Sequence, residues 1–179
     1  IFGGSGNDKL YGVNGDDTIF GQAGNDTIVG GNGDDTIFGG DGDDIILDHH
    51  GNDALVGGAG NDKLRDGIGT NLLIGGIGRD TLTSRQADDL LIAGRSVYDE
   101  DLDAIDAIMA EWTSENSYAR RVASLRSGVG ESAIRLLADA TVLDDGDTDR
   151  LLGDKGMDWY FYHPDQDRLR NLEEGEEVN

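Results

Sequence analysis

The sequence predicts a mainly β fold: a parallel β-roll, or right-handed β-solenoid of nonapeptide repeats, with a C-terminal α-helical insert and cap. A nine-residue pattern recurs without interruption from residue 3 to residue 92. The chain contains 29 glycines but one proline, and after Ser96 the spacing of apolar residues changes to three and four. Glycines at a fixed period are typical of a repeat architecture, whereas a flexible linker has no such period.

Each unit reads Gly-Gly-x-Gly-(Asn/Asp)-Asp-x-(aliphatic)-x. The first six residues have the composition of a tight turn, because glycine, asparagine and aspartate tolerate left-handed backbone. The last three form a short strand, whose middle residue points to the opposite face from its neighbours. We expect two units to make one coil, with these eighth-position residues inside: Ile19, Ile28, Ile37, Ile46, Leu55 and Leu64. Their neighbours Thr18, Thr27, Thr36 and Lys63 are expected to face water.

The charge of the chain favours cations as partners. There are 37 acidic and 14 basic residues, so the net charge is −23. Nucleic acid and anionic membrane surfaces would repel such a chain and are excluded as partners. Cysteine is absent, which excludes disulfides and thiolate metal sites. The sequence has no apolar run of eighteen residues, so we expect no membrane insertion by this segment.

The repeat resembles the calcium-binding nonapeptide of the RTX (repeats-in-toxin) family of bacterial secreted proteins. The resemblance implies several Ca²⁺ ions, each held between successive loops of one edge by sixth-position aspartates and backbone carbonyls. The candidate carboxylate ligands are Asp8, Asp17, Asp26, Asp35, Asp44, Asp53, Asp62, Asp80, Asp89 and, in a later repeat, Asp158. The other candidate metal-binding positions are Gly3, Ser5, Gly12, Asn14, Gly21, Ala23, Gly30, Asn32, Gly39, Asp41, Gly57 and Ala59.

Calcium suits these loops better than magnesium. It accepts six to eight oxygen ligands in flexible geometry, whereas magnesium requires a stricter octahedron and retains water. Stacked loops place carboxylates about 4.8 Å apart, the spacing of neighbouring strands, and a bound cation relieves their repulsion. The alternative is a polar linker or a solenoid without metal. Ten copies in phase disfavour it, because an unneutralised column of aspartates destabilises the stack.

The two edges of the roll differ in their match to the pattern. Loops 3–8, 21–26, 39–44, 57–62 and 75–80 share one edge and stay close to the consensus. Loops 12–17, 30–35, 48–53, 66–71 and 84–89 form the other, where the first glycines are lost from residue 48 onward and Asn71 replaces the sixth-position aspartate. We expect up to four ions on the first edge and one or two on the second.

Beyond the repeats we expect two helices, Val97–Trp112 and Ser117–Arg126. Leu102, Ile105, Ile108, Met109 and Trp112 would face inward from the first helix, and Tyr118, Val122 and Leu125 from the second, which ends at Gly128. The arginines of the second helix form a basic patch, interpreted as pairing with nearby aspartates in preference to a recognition site.

The nonapeptide phase returns in residues 144–152, 153–161 and 162–170, with Asp149, Asp158 and Asp167 at the sixth position. Residues Trp159 to Tyr162 are expected to plug the open end of the solenoid. The predicted organisation is therefore a roll of ten repeats in residues 1–95, a helical insert in 96–143, and degenerate repeats with a C-terminal cap in 144–179.

The sequence does not predict an enzyme. It lacks the His-Glu-x-x-His of zinc proteases, the Gly-x-Ser-x-Gly elbow and the Walker loop. His49 and His50 are interpreted as a degraded calcium loop. The Asp145-x-Asp147-x-Asp149 run is not an EF-hand, because Arg150 and Gly156 stand where glycine and a bidentate glutamate are required.

The function we expect is a calcium-binding module that folds on calcium binding outside the cell and assists the secretion, folding and stability of a larger parent protein. Ile1 and Phe2 match the eighth and ninth repeat positions, which suggests covalent upstream domains. The resemblance implies type I secretion machinery as a partner and a secreted or cell-surface location. The alternatives are a structural or adhesive spacer of a bacterial surface protein, or the non-catalytic tail of a secreted hydrolase.

Overall fold

The computed structural model describes residues 1–130, 134–136, 141–143, 145–170 and 177–178. In this part of the chain two parallel sheets lie face to face, and successive strands alternate between them. Sheet 1 contains, in spatial order, β1 (Phe2–Ser5), β3 (Thr18–Ala23), β5 (Thr36–Asp41), β7 (Ala54–Ala59), β9 (Leu72–Ile77), β11 (Leu90–Ile92), β15 (Trp159–Phe161) and β17 (Glu177–Val178). Sheet 2 contains β2 (Lys9–Asn14), β4 (Thr27–Asn32), β6 (Ile45–Leu47), β8 (Lys63–Arg65), β10 (Thr81–Thr83), β14 (Arg150–Leu152) and β16 (Arg168–Arg170).

The strand register confirms the parallel β-roll. Ile19 pairs with Ile37, and Ile37 pairs with Leu55, so neighbours in a sheet are two nonapeptides apart. The eighth-position side chains fill the space between the sheets, and those from Ile19 to Leu91 are at most 1 % exposed. The nine-residue period therefore sets both the strand pairing and the internal core.

The turns of the consensus loops have left-handed backbone at the second and fourth repeat positions. Gly40 and Gly42 have φ of +112° and +125°, and a side chain at Gly40 would meet the carbonyl oxygen of Gln22 at 2.0 Å. Val13 and Gln22 occupy second positions with φ of 86° and 81°, where a non-glycine residue is strained. The repeat therefore tolerates some departures from glycine at the second position.

The helices are α1 (Leu102–Trp112) and α2 (Tyr118–Ser127). The predicted start of the first helix at Val97 is wrong. The chain before it makes the short strand β12 (Arg95–Ser96), which pairs antiparallel with β13 (Val142–Leu143), and Asp101 caps the helix by accepting from the Ala104 backbone N–H. Leu102 was predicted to face inward but is 39 % exposed, because it opens the helix at the rim of the contact.

Both helices lie against the outer face of sheet 1. Ile105, Ile108 and Trp112 of α1 and Val122 and Leu125 of α2 are buried there, as the spacing predicted. The strand residues beneath them include Ala54, Leu72 and Leu90, which occupy seventh positions. Thr18 and Lys63, at the same position in other units, are exposed as expected, whereas Thr27 and Thr36 are partly buried.

The roll resumes after the helices. Leu82 pairs with Leu151, Leu91 with Tyr160 and Leu151 with Leu169, so the three later units continue the two sheets in phase. Of the predicted C-terminal segments, Asp144 and residues 171–176 and 179 lie outside the described residues.

The aromatic run of β15 was expected to plug the open end of the solenoid. Trp159 and Phe161 instead lie on the outer face of sheet 1 against the helices, while Tyr160 points into the interior. Alternation along the strand causes this split, because neighbouring side chains point to opposite faces. β15 also pairs with β17, so it is not the last strand of its sheet.

Candidate metal centre

The sixth-position carboxylates form a hydrogen-bonded ladder along each edge of the roll. The Oδ1 atom of each accepts from the backbone N–H of the corresponding residue in the preceding coil, as in Asp26 N–H to Asp44 Oδ1 at 2.7 Å. The first edge links Asp8, Asp26, Asp44, Asp62, Asp80, Asp149 and Asp167. The second edge links Asp17, Asp35, Asp53, Asn71, Asp89 and Asp158.

In nine of these carboxylates the second oxygen is buried without a hydrogen-bond donor among the described residues. This holds for Oδ2 of Asp8, Asp17, Asp26, Asp35, Asp44, Asp53, Asp62, Asp80 and Asp89. A buried charged oxygen with no partner costs several kcal/mol, roughly 1–3 kcal/mol even for a neutral group. The nine oxygens are therefore a regular set of unsatisfied acceptors along the two edges.

At the consensus loops, a carbonyl oxygen of the next coil lies close to the free carboxylate oxygen. A Cβ atom on Gly21 would lie 2.4 Å from Asp26 Oδ2 and 2.5 Å from the carbonyl oxygen of Gly39. A Cβ atom on Gly39 would likewise lie 2.4 Å from Asp44 Oδ2 and 2.5 Å from the carbonyl oxygen of Gly57. In these consensus loops the first position must be glycine, because oxygens from two coils crowd the space where a side chain would begin.

This convergence fits a hard cation. Carboxylate and carbonyl oxygens are the ligands that Ca²⁺ takes in proteins, and its coordination tolerates irregular geometry. The first-position residues Gly3, Gly12, Gly21, Gly39 and Gly57 each meet a carboxylate oxygen of their own loop and a carbonyl of the next coil within 3.1 Å of the Cβ position. The predicted first- and sixth-position residues thus lie together.

The predicted third-position carbonyls have a different environment. Ala23 accepts a hydrogen bond from Gly6 N–H at 2.7 Å, Asp41 from Gly24 N–H at 2.8 Å, and Ala59 from Gly42 N–H at 2.7 Å. Asn32 accepts in the same way from Gly15 N–H. Ser5 and Asn14, in the first coil, pair in register with Ala23 and Asn32. These carbonyls hold successive coils together, and a second lone pair remains on each.

Sequence reasoning missed a second ladder at the fifth repeat position. Asn7 Oδ1 accepts from Asn25 N–H at 3.0 Å, and Asp16 Oδ1 from Asp34 N–H at 2.9 Å. Here the donor lies in the following coil, opposite to the sixth-position ladder. The signal was present, because eight of the ten units carry Asn or Asp at this position. These exposed side chains stabilise the loops around the buried carboxylates.

Burial changes the proton affinity of the sixth-position carboxylates. Desolvation, with like charges nearby, raises the pKa of Asp62 to about 7, that of Asp53 to about 8 and that of Asp80 to about 9, from an ordinary 3.8. Near neutral pH these groups bind a proton in the metal-free roll, and a cation has to displace it.

The raised pKa values predict opposite effects of pH with and without calcium. A carboxyl whose pKa is higher in the folded state binds more protons there, so its stabilising contribution is full below pH 3.8 and is lost as pH rises through about 7–9. In metal-free buffer we expect β-structure, followed by circular dichroism, to increase as pH falls from 9 to 5.5. Calcium affinity, measured by calorimetry over the same range, should decrease. A metal-free roll that gains structure with rising pH would contradict this assignment.

The second edge departs from the pattern at its first positions. Asp48 and Asp66 replace glycine there, and the carboxylates of Asp35, Asp48 and Asp53 supply ligand atoms within 4.8 Å of one another. The Asn71 amide donates to Asp66 Oδ2 at 3.0 Å, while its own Oδ1 accepts from Asp53 N–H. The loss of the carboxylate at residue 71 therefore does not interrupt the ladder.

The histidines and arginines do not lie among the carboxylates of the candidate ion sites. His49 and His50 are exposed. Among the described residues, the group of side chains that could hold a metal ion is Asp35, Asp48 and Asp53, and it includes neither histidine. Arg121 is buried, pairs with Asp88 and donates to the carbonyl of Trp112 at 2.6 Å. The interpretation of an arginine pairing with a nearby aspartate is thus correct for Arg121, which ties α2 to a loop of the roll.

A comparison with protein families agrees with the repeat pattern. No curated protein and no solved structure matches the chain. None of the described helices has the length and apolar character needed to span a membrane. The family model of the RTX calcium-binding nonapeptide repeat, built on four copies, matches residues 2–37, 11–46, 29–64, 50–82 and 65–95. These matches extend over more than half of the chain, in the same region where carboxylate and carbonyl oxygens converge between coils, and the protein belongs to the RTX family of calcium-binding repeats.

Proposed function

We propose that this chain is a calcium-dependent folding module in which ions bind between successive coils. The observation that carries the proposal is the column of buried Oδ2 atoms without donors among the described residues, which at the consensus loops lie beside a carbonyl of the next coil. The sixth-position aspartates would supply the charged ligands, and the first-position residues the carbonyl ligands. Asp158 has the same ladder position on the second edge, but its Oδ2 accepts from the Tyr160 hydroxyl at 3.0 Å, which makes it a weaker candidate.

Folding and ion binding are coupled because the fold concentrates negative charge. The chain has a net charge of −23, and the coils bring equivalent carboxylates to a spacing of about 4.8 Å in a buried column. Ca²⁺ supplies positive charge and the missing partner for each free oxygen. The unfolded chain has no such arrangement of ligands, so binding free energy becomes folding free energy.

This coupling gives folding a direction across the cell envelope. In a cytosol poor in calcium the acidic repeats stay unfolded, and millimolar calcium outside the cell condenses the roll. An unfolded chain is compatible with export by type I secretion machinery, and a roll folded outside would stabilise covalently attached domains of a parent protein. The module itself would be secreted or displayed at the cell surface and have no catalytic role.

Calorimetric titration of single variants tests the ligand assignment. Asp44→Asn keeps the ladder acceptor, as Asn71 does, but replaces the free carboxylate oxygen with an amide nitrogen. We expect it to weaken calcium binding at mid-stack by about tenfold or more, roughly 1.4 kcal/mol. Asp89→Asn, in a loop without consensus glycines, should have a smaller effect, and magnesium should bind weakly to all forms.

The two possible failures of this experiment are distinct. Equal losses in both variants would contradict the difference between the edges. A wild-type chain that shows no calcium binding at any pH from 6 to 9 would contradict the function itself.

A further inference from the structure

A carboxylate stands in for a backbone carbonyl at one point of the second edge. In the consensus loops, the first-position glycine faces the carbonyl oxygen of the next coil, at 2.5–2.7 Å from the Cβ position for Gly12, Gly21 and Gly39. At Gly30 the nearest atom is instead Asp48 Oδ2, at 2.3 Å, followed by Asp35 Oδ2 at 2.5 Å. The side chain of Asp48 therefore places a charged oxygen where the other loops have a neutral one.

The position of the Asp48 carboxylate is fixed by the backbone. Its Oδ1 accepts from the N–H groups of Gly31, at 3.1 Å, and His49. Its Oδ2 has no donor among the described residues, and neither has Oδ2 of Asp35 or Asp53. The three residues are at most 3 % exposed. Three buried oxygens without donors, aimed at one small volume, are therefore built into this loop.

The next coil shows that such an arrangement does not follow automatically from an aspartate at the first position. Asp66 is equivalent to Asp48 one coil later, but its Oδ2 accepts from the Asn71 amide at 3.0 Å. The sixth-position residue beside Asp66 is thus a donor, whereas Asp53 beside Asp48 is an acceptor. Among the described residues, the cluster of three carboxylates occurs at Asp35, Asp48 and Asp53.

We propose that Asp48 adds a third carboxylate to the ion site between Asp35 and Asp53, so that this site binds Ca²⁺ more tightly than the consensus loops do. It rests on the proposed binding of ions between coils, but its ligand set differs from that of the repeat. The side-chain charge around this ion is −3, and replacing a carbonyl by a carboxylate strengthens attraction for a hard cation in a buried site. Trivalent lanthanides should gain even more than calcium.

The substitution Asp48→Gly separates this proposal from the consensus interpretation, because it restores the glycine of the repeat. If Asp48 is a ligand, calcium calorimetry of the full chain shows one site tighter than the others, and this site weakens about tenfold or more in Asp48→Gly and in Asp48→Asn. La³⁺ should displace calcium from this site first. Asp154→Asn, at an exposed carboxylate, removes the same charge and should leave the tight site unchanged.

Asp48→Gly should fold as well as the wild type. Circular dichroism at saturating calcium checks this. Calcium binding that is equal or tighter in Asp48→Gly would overturn the proposal and leave the proposed function intact. Equal losses in Asp48→Asn and Asp154→Asn would also overturn it, because net charge alone would then explain the effect. Failure of the wild type to bind calcium would instead remove the proposed function.

Discussion

We expect the removal of calcium to unfold the roll. At pH 8 and low ionic strength we expect a chelator to convert the circular dichroism spectrum from β-structure to coil, and millimolar calcium to restore it cooperatively. The cause is the buried columns of carboxylates, whose free oxygens have no donor among the described residues once the cation is absent. The predicted change affects most of residues 1–95, which is the largest effect expected for this protein.

Two controls separate specific ligation from screening of charge. Magnesium at the same concentration should restore little structure, because it keeps its water and requires an octahedral set of ligands. Sodium chloride at equal ionic strength screens exposed charges but should not replace a ligand in a buried site. Retention of the full β-spectrum in excess chelator at pH 8 would refute calcium-coupled folding.

Gly39→Ala should abolish one ion site in the middle of the first edge. The added methyl group would lie 2.4 Å from Asp44 Oδ2 and 2.5 Å from the carbonyl oxygen of Gly57, the two oxygens proposed as ligands. These atoms must separate to admit it, which disrupts the pair of oxygens proposed to hold the ion. We expect the calcium concentration at the folding midpoint, measured by circular dichroism, to rise about tenfold or more, with one fewer ion bound.

Gly6→Ala is the matched control. Gly6 has φ of +114° and no neighbour within 4 Å of the Cβ position, so this variant introduces backbone strain without crowding an ion site. Its cost should be about 1–2 kcal/mol and the number of bound ions should not change. An equal loss of ions in both variants would show that the first position matters for backbone conformation and not for ligation.

The period of the sequence predicts the roll well because strand pairing here is a local consequence of repeat length. Eighth-position residues such as Ile37 and Leu55 are separated by eighteen residues and stack directly, as two units per coil require. The proximity of first- and sixth-position residues follows for the same reason. Any equivalent residues in regular coils must be neighbours, so the candidate oxygens were brought together by periodicity alone.

The placement of the helices depends on tertiary contacts that a nine-residue pattern does not contain. A signal did exist, because the seventh-position residues of sheet 1 change from Thr18 and Thr36 to Ala54, Leu72 and Leu90 along the chain. These apolar residues lie on the outer face and mark where α1 and α2 pack. The sequence shows Asp48 only as the loss of a first-position glycine. The repeat pattern does not predict that the side chain of this loop residue points toward Asp35 and Asp53.

The interruption of the solenoid by its helices has a kinetic consequence. Regular neighbours such as Leu64 and Leu82 are eighteen residues apart, whereas the backbone N–H of Asp80 reaches the carboxylate of Asp149 across 69 residues. Closing the longer loop costs about 1.2 kcal/mol more in chain entropy, since its length is nearly two doublings greater. Nucleation is therefore favoured within residues 1–92, and the coils of residues 145–170 should dock late, onto a template that the earlier coils have already completed.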